Sequence, residues 1–565
     1  MKKFSELKFK KVKMERIEAE FTALIRDFKE AETFEIQNRA LLKVYKYMDE
    51  VQTNFTIGEV KYTQDTKDVK NVRNRRFIDE NSPLIQNLFN AFNKELVHAK
   101  FRDELEKKWG THLFKMAETA LECFDSSIIG EIQEINKLSS EYTALLASCE
   151  IEFNGEICNL SRLSNYAQNE RREVRREASI LLAGFFEKNN DQIGKIYDRM
   201  VKTRTQMAKK LGYENFIEIG YKILGRTDYG AKEVKGYREQ IYRDLVPFTD
   251  RLFSEQAKRI QIENPQFYDH NLSFLSGNPR PQGDTDFMIR QAKKMYEELS
   301  PETGKFFGFL VDNELMDLET RPGKSGGGYM TYLPKYKAPF IFSNFNGTSG
   351  DVDVLTHEFG HAFQGYMSRN IRCPDYRSPT LEACEIHSMS MEFLTYDWMD
   401  LFFGDQADKY RYAHLSDAIT FIPYGAAIDE FQHWVYENPE VSHEERCARF
   451  REIEKKYLSH RRYDDAPIFE KGGWWMRQSH IFSAPFYYID YTLAQVVAFQ
   501  FFVENEKNHE KAWKKYVRLC RMGGKYPFVT LLKKAGLRNP FEDGNVRKGL
   551  PALKKYLESI DISGY

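Results

Sequence analysis

Long apolar runs are missing from this 565-residue sequence. Its longest, VVAFQFFV (496–503) and SILLAGFF (179–186), fall far short of the ~20 residues a membrane-spanning helix needs. The basic start MKKFSELKFKKVKMERIEAEF does not run into an apolar stretch that could form a signal-peptide core. An excess of one charge is missing too. The 83 Lys and Arg against 84 Asp and Glu leave a formal net charge of −1, so bulk charge supports neither a nucleic-acid nor a membrane partner. The local run NERREVRRE (169–177) reads as a solvated helix face with interleaved acids. The seven cysteines stand singly, with no C-x-x-C pair and no spacing that suggests a disulfide framework. Free, mostly buried thiols in a reducing compartment are expected, which means a cytoplasmic protein.

Proline is scarce in a patterned way. One proline, Pro83, stands in the first 246 residues, and the other seventeen follow from Pro247 onward. An interior proline costs a helix about 3 kcal/mol, so the proline-poor part can hold long helices. MERIEAEFTALIRDFKEA, FRDELEKKWGTHLFKMAETAL and IGEIQEINKLSSEYTALLA agree, repeating apolar residues at three-and-four spacing. The length, with 42% hydrophobic and 30% charged residues, predicts a globular chain of two or more lobes. We expect a helical N-terminal lobe over residues 1–200 and a second lobe over 201–565 that carries the chemistry. No fixed-period repeat or low-complexity tract is present.

After a loop-rich zone (265–284) comes the one convincing β signal, GGGYMTYLPKYKAPFIFSNFNGTSGD (326–351). Its prolines, Pro334 and Pro339, predict an edge strand. Such a strand over Pro339 to Phe345, with Phe342, Asn344 and Phe345 as contacts, can pair with an extended peptide through main-chain hydrogen bonds. The triple glycine 326–328 reads as a turn, a hinge or a loop over a ligand.

Directly behind lies DVDVLTHEFGHAFQGYM (351–367). His357 and His361 are four residues apart, so a helix projects both from one face. Two neutral imidazoles so placed suit a tetrahedral zinc ion, and Glu358 beside them can take a proton from an attacking water. A buried apolar helix is the plain alternative, since Val354, Leu355, Phe359, Ala362 and Phe363 surround the pair. Position 367 is Met, which excludes a third histidine six residues after the second. The segment SPTLEACEIHSMSMEFLTYDWM (378–399) offers Glu382, Glu385, His387 and Glu392 instead, and spacing does not choose among them. Asp353, one turn before His357, is a further partner for a histidine ligand or an acid complementing the helix dipole.

The HEFGH helix followed by E-x6-E (Glu385 to Glu392) resembles the M3 family of zinc oligopeptidases, in particular its oligoendopeptidase F and Pz-peptidase branch. APFIFSNFNGTSGDVDVLTHEFGH and RQSHIFSAPFYYIDYTLA (477–494) carry the likeness further, over roughly residues 200–550. The resemblance implies a mainly α fold, a two-lobed helical clamshell with a small β-sheet beside the zinc helix and a deep central channel. It implies one Zn2+ per chain on His357, His361 and Glu385, with Glu392 orienting a histidine ligand and Glu358 as base and then acid. By tyrosine spacing, Tyr488 and Tyr491 with His480 stabilise the oxyanion, and Tyr487 contacts the substrate. Pro485-Phe486 stands where the longer thimet-type relatives carry a glycine-tyrosine motif. The implied substrates are short oligopeptides cut internally, Gly/Pro-containing collagen fragments among them. The alternative is a carboxypeptidase or dipeptidyl carboxypeptidase on the same helical HExxH fold. A monomer or weak homo-oligomer is expected.

Overall fold

The computed structural model describes every residue except 322. Three long helices open the chain: α1 (Met14–Lys29), α2 (Phe34–Gln64) and α3 (Val69–Val97). Thr33 caps α2 by accepting the Ile36 N–H at 3.3 Å, and Asp68 caps α3 through the Asn71 N–H at 2.8 Å. These bonds satisfy donors that a helix start leaves open. Pro83 lies inside α3 without ending it. In the turn before it, Asn81 Nδ2 and Ser82 Oγ donate to the carbonyls of Phe77 and Ile78 at 2.7 and 2.8 Å. Phe21, Phe28, Leu41 and Phe92 form the core of this helical lobe, and Cys373 and Tyr376 from the second half of the chain join it. Arg377 completes the attachment with a two-pronged pair to Asp49 at 2.8 and 2.9 Å. The two lobes of this mainly helical clamshell are thus joined by side chains over 370 to 377 as well as by the backbone.

A short hairpin, β1 (Ile151–Phe153) and β2 (Glu156–Cys158), turns at Asn154 and Gly155, both with positive φ (53° and 81°). Asn-Gly at a two-residue turn is a strong hairpin signal, and the expectation of a single β region overlooked it. Beyond it runs α4 (Asn190–Lys210).

The second sheet is built from β3 (Met316–Glu319), β4 (Tyr329–Leu333) and β5 (Ala338–Phe345), in the order β3-β5-β4. β5 pairs parallel to β3 and antiparallel to β4, with Tyr329 opposite Phe342 and Leu333 opposite Ala338. The expectation that Pro339 to Phe345 forms an edge therefore fails: β5 is the central strand. Pro339 lies outside the parallel ladder, which begins at Ile341, so its missing N–H removes no bond on that side. Phe342 and Phe345 are buried in the core, and Asn344 donates to the carbonyls of Ser325 and Gly327, both at 2.8 Å. Asn344 braces the glycine-rich loop, and neither phenylalanine offers a surface to a ligand. The sheet edge next to the histidine-bearing helix belongs to β4, whose residues are half-buried or buried.

That helix, α5 (Gly350–Ser368), starts from a loop closed by Asp351, whose carboxylate accepts the N–H groups of Asn346 and Gly347 at 3.0 and 2.7 Å. Against it lies α6 (Leu381–Leu394), followed by α7 (Ala407–Glu437) and α8 (Tyr488–Asn505). Gly360 makes the α5–α6 approach possible. A Cβ there would come within 2.6 Å of the His387 carbonyl oxygen and 2.7 Å of Ser388 Cα. No helix is long and apolar enough to cross a membrane among the described residues.

Candidate active site

The α5–α6 contact brings His357, His361 and Glu385 together, with one ligand atom from each lying within 4.8 Å of the others. Glu385 Oε2 is 3.2 Å from His357 Nε2 and 3.4 Å from His361 Nε2. Glu382 and His387, also named from sequence, are placed differently. Glu382 is fully buried and accepts from Tyr229 Oη at 3.0 Å, away from the histidines. His387 is fully buried on the far side of α6 and is not part of this group.

Glu392 Oε1 accepts from His357 Nδ1 at 2.6 Å, and Glu392 Oε2 accepts from His414 Nε2 at 2.8 Å. Tyr396 Oη lies 2.6 Å from His414 Nδ1 and supplies that nitrogen with a proton donor. The chain of bonds fixes the His357 tautomer and leaves Nε2 facing Glu385. Burial lowers the basicity of His357, yet bonds to Glu385 and Glu392 outweigh it and hold the imidazole well above its usual range. Glu385 shows the mirror effect: burial raises it, and the two imidazoles pull it well below the usual carboxylate range. Asp353 does not touch either histidine. It accepts from Tyr410 Oη at 2.5 Å, and Tyr410 in turn stacks on His414.

Two imidazole nitrogens and a carboxylate oxygen converging in this way are the donor set of a zinc site. Glu358 supports the fit. Its Oε2 is buried without a hydrogen-bond partner, and burial pushes the carboxyl up. A buried, unpaired carboxylate next to such a triad is costly unless a cation or a proton donor arrives there.

Facing the triad is the segment 478–491. Gln478 Nε2 donates to His480 Nδ1 at 2.7 Å, which leaves the proton of the neutral imidazole on Nε2, 3.4 Å from Tyr491 Oη. Burial keeps His480 below its ordinary pKa, and therefore neutral. Tyr487 Oη donates to Glu385 Oε1 at 2.7 Å, so this tyrosine binds a triad member directly. Burial raises Tyr491 to about 12, with the charge of Glu385 adding to it. Tyr487 and Tyr491, one helical turn apart with ring centres separated by 4.9 Å, form the pair beside Glu385. Tyr488 turns towards Phe421 and Tyr424, at 5.6 and 5.8 Å, and meets the group through His480 at 5.0 Å.

Buried arginines hold this segment. Arg204 on α4 donates to Ile481 O at 3.3 Å and to Phe482 O. Arg226 donates to Phe486 O at 2.7 Å and pairs with Asp490 at 2.5 Å. Phe486, the residue that departs from a glycine motif, adopts φ 66°, a backbone region costly for a bulky side chain. Its N–H is accepted by Gln432 Oε1 at 3.0 Å, so both of its backbone polar groups are tied down. His414, Gln478, Arg204 and Arg226 were not singled out in the sequence. Only His414 carried a signal, as a histidine within an apolar helical pattern.

Residues 4–124 match the Peptidase M3 N-terminal domain and residues 165–548 match Peptidase family M3. The chain belongs to peptidase family M3. Among solved M3 structures, Pz peptidase A with a bound inhibitor is 47% identical, covers 99% of this chain and 100% of its own, and superposes with a TM-score of 0.95. A Bacillus anthracis protein described as an oligoendopeptidase F is 44% identical, with full coverage of both chains and a TM-score of 0.91. Oligopeptidase PepF of Bacillus subtilis is 21% identical over 443 residues, 73% of this chain. The match spans 62% of that relative, less than two thirds of its length.

Proposed function

We propose that the chain is a zinc-dependent endopeptidase that cuts internal bonds of short oligopeptides in the cytoplasm. The observation that carries this reading is the unpaired Glu358 carboxylate beside the His357, His361 and Glu385 triad, with proton donors on the opposite wall. Zn2+ held by the triad would polarise the scissile carbonyl and make a water acidic enough to attack near neutral pH.

The remaining roles belong to side chains of this protein. Glu358 takes the proton of the attacking water and later delivers it to the departing amide nitrogen. Tyr491 Oη and His480 Nε2 donate hydrogen bonds to the oxygen that gains charge, while the Tyr487 hydroxyl, its proton committed to Glu385, holds that carboxylate in place. Glu392 keeps the proton on His357 Nδ1, so that Nε2 remains free as a ligand. The edge strand β4, in place of β5, pairs with the substrate backbone, which demands an extended peptide and tolerates many sequences. Tyr488 supports His480 by packing. The likeness to Pz peptidase A favours Gly/Pro-containing peptides among the substrates.

The test is a series of quenched fluorescent oligopeptides of increasing length, blocked at both ends, given to wild type and Glu358→Gln. Mass spectrometry reads the products, and metal content is measured on both proteins. Internal cleavage that disappears in the variant while one zinc per chain remains supports the proposal. Cleavage that requires a free C-terminus would replace it with a carboxypeptidase, and a protein that takes up no zinc would end it.

A further inference from the structure

A cavity of about 530 Å³ adjoins the triad on the side of the α5 N-terminus. Ser349, the residue before α5, and Asp353 line it; Ser349, Asp353 and His357 follow one another at four-residue steps, so one face of α5 runs from the triad into the cavity. α6 contributes Met389 and Glu392, and α7 contributes His414 and Asp417. The lining includes three carboxylates and neither a lysine nor an arginine among the described residues.

The three acids differ in what they hold. Glu392 is bonded through both oxygens to His357 and His414, and Asp353 accepts from Tyr410. Asp417 is open to the cavity, and its carboxylate has no hydrogen bond or ion pair among the described residues. Arg259, whose charge reaches Asp417, is committed to Ser273 O at 2.6 Å and Tyr412 Oη at 3.1 Å. The surrounding protein pushes Asp417 up to about 6; the nearby His414 imidazole opposes the rise and the charge of Asp353 adds to it. A second and independent feature lies on α8, which packs against α7. Gln495 of α8 is 4% exposed and lines the same cavity, and its Nε2 has no hydrogen-bond partner. An unmet amide donor and an unmet carboxylate lining one cavity match a peptide residue that brings a carbonyl and a cation together.

We propose that this cavity is a subsite for a positively charged group of the substrate, received by Asp417 with Asp353 behind it, while Gln495 binds a main-chain carbonyl. The inference rests on the peptidase reading. The group is an ammonium or guanidinium, from a Lys or Arg side chain or from a free α-amino terminus.

Binding is measured first, by fluorescence anisotropy on zinc-loaded Glu358→Gln, where turnover does not interfere. Peptides of one length carry a single Arg, Lys, norleucine or Glu moved through every position, each with a free or acetylated N-terminus. At one position Arg or Lys should bind about tenfold more tightly than norleucine, and Glu should bind more weakly. Adding Asp417→Asn should cancel that difference and leave the norleucine peptide unchanged, whereas Asp417→Glu should restore it. A gain confined to free N-termini would identify the α-amino group as the ligand. Equal binding at all positions, or a preference that survives Asp417→Asn, would overturn the subsite. The same peptides given to wild type separate the two readings. Should none be cut, the peptidase assignment fails, and the binding series still decides the subsite.

Discussion

The two walls of the site are built in opposite ways. On the metal wall, His357, His361, Glu385 and Glu392 sit on two adjacent regular helices, and the contacts among the four span at most 35 residues of chain. On the donor wall, His480, Tyr487 and Tyr491 occupy a broken segment with a left-handed residue at Phe486. Arginines from 260 and 277 positions away hold it in place. Helical periodicity sets out the first wall, with His414 and Tyr487 bracing its acids, while the second owes its shape to distant arginines that bind its backbone. The first is therefore sensitive to what its own residues are, and the second to what holds it.

The deepest cut into this contrast is Glu358→Gln. The substitution keeps shape and metal and removes the base, so kcat should fall by about 10²–10⁴-fold with zinc content unchanged, as read by steady-state kinetics and metal analysis. On the donor wall, Tyr491→Phe should lower kcat by about 10²–10³-fold, with little change in KM and none in zinc. Glu392→Gln returns to the metal wall. It removes the acceptor that fixes His357, and zinc affinity in chelator competition should weaken about 10–100-fold.

Arg226→Met sharpens the difference. It leaves Asp490 and Glu382 buried together without their guanidinium, and unfolding free energy should drop by about 3–5 kcal/mol while zinc stays bound. Unchanged kcat in that variant would mean that the donor wall holds itself.

The smallest effect concerns His270, which burial lowers to about 3. The unfolded chain takes up this proton near pH 6.5 and the folded one does not. Stability is therefore lost as the pH falls from 6.5, by at most about 1.4 kcal/mol per pH unit. His270→Asn should flatten the pH dependence of the urea midpoint over that range.

The same contrast explains what was legible in the sequence. The histidine pair needed only the period of a helix, whereas spacing left Glu382, Glu385 and Glu392 open and only the family resemblance singled out Glu385, which the α5–α6 packing brings to the pair. The role of β5 was misread because Pro339 signals an edge, and strand order depends on where β3 and β4 arrive. Asp353 was given a partner from helix spacing, yet Tyr410 reaches it from α7, 57 residues away. Tyrosine spacing singled out Tyr488 and Tyr491, whereas the turn at Phe486 puts Tyr487 beside Glu385. Arginines that bind carbonyls have no spacing at all, and nothing in the sequence marks Arg204 or Arg226.

Gly360, the unobtrusive member of the HEFGH stretch, gives the metal wall an odd vulnerability. The separation of the imidazoles from Glu385 is gauged by one backbone resting on another, and no ligand side chain can readjust it. Replacement by alanine, elsewhere the mildest of deletions, would here be an insertion: a single methyl group wedged between two helices and spreading all three ligands at once. The grip on the ion is thus set by a residue that has nothing with which to hold it.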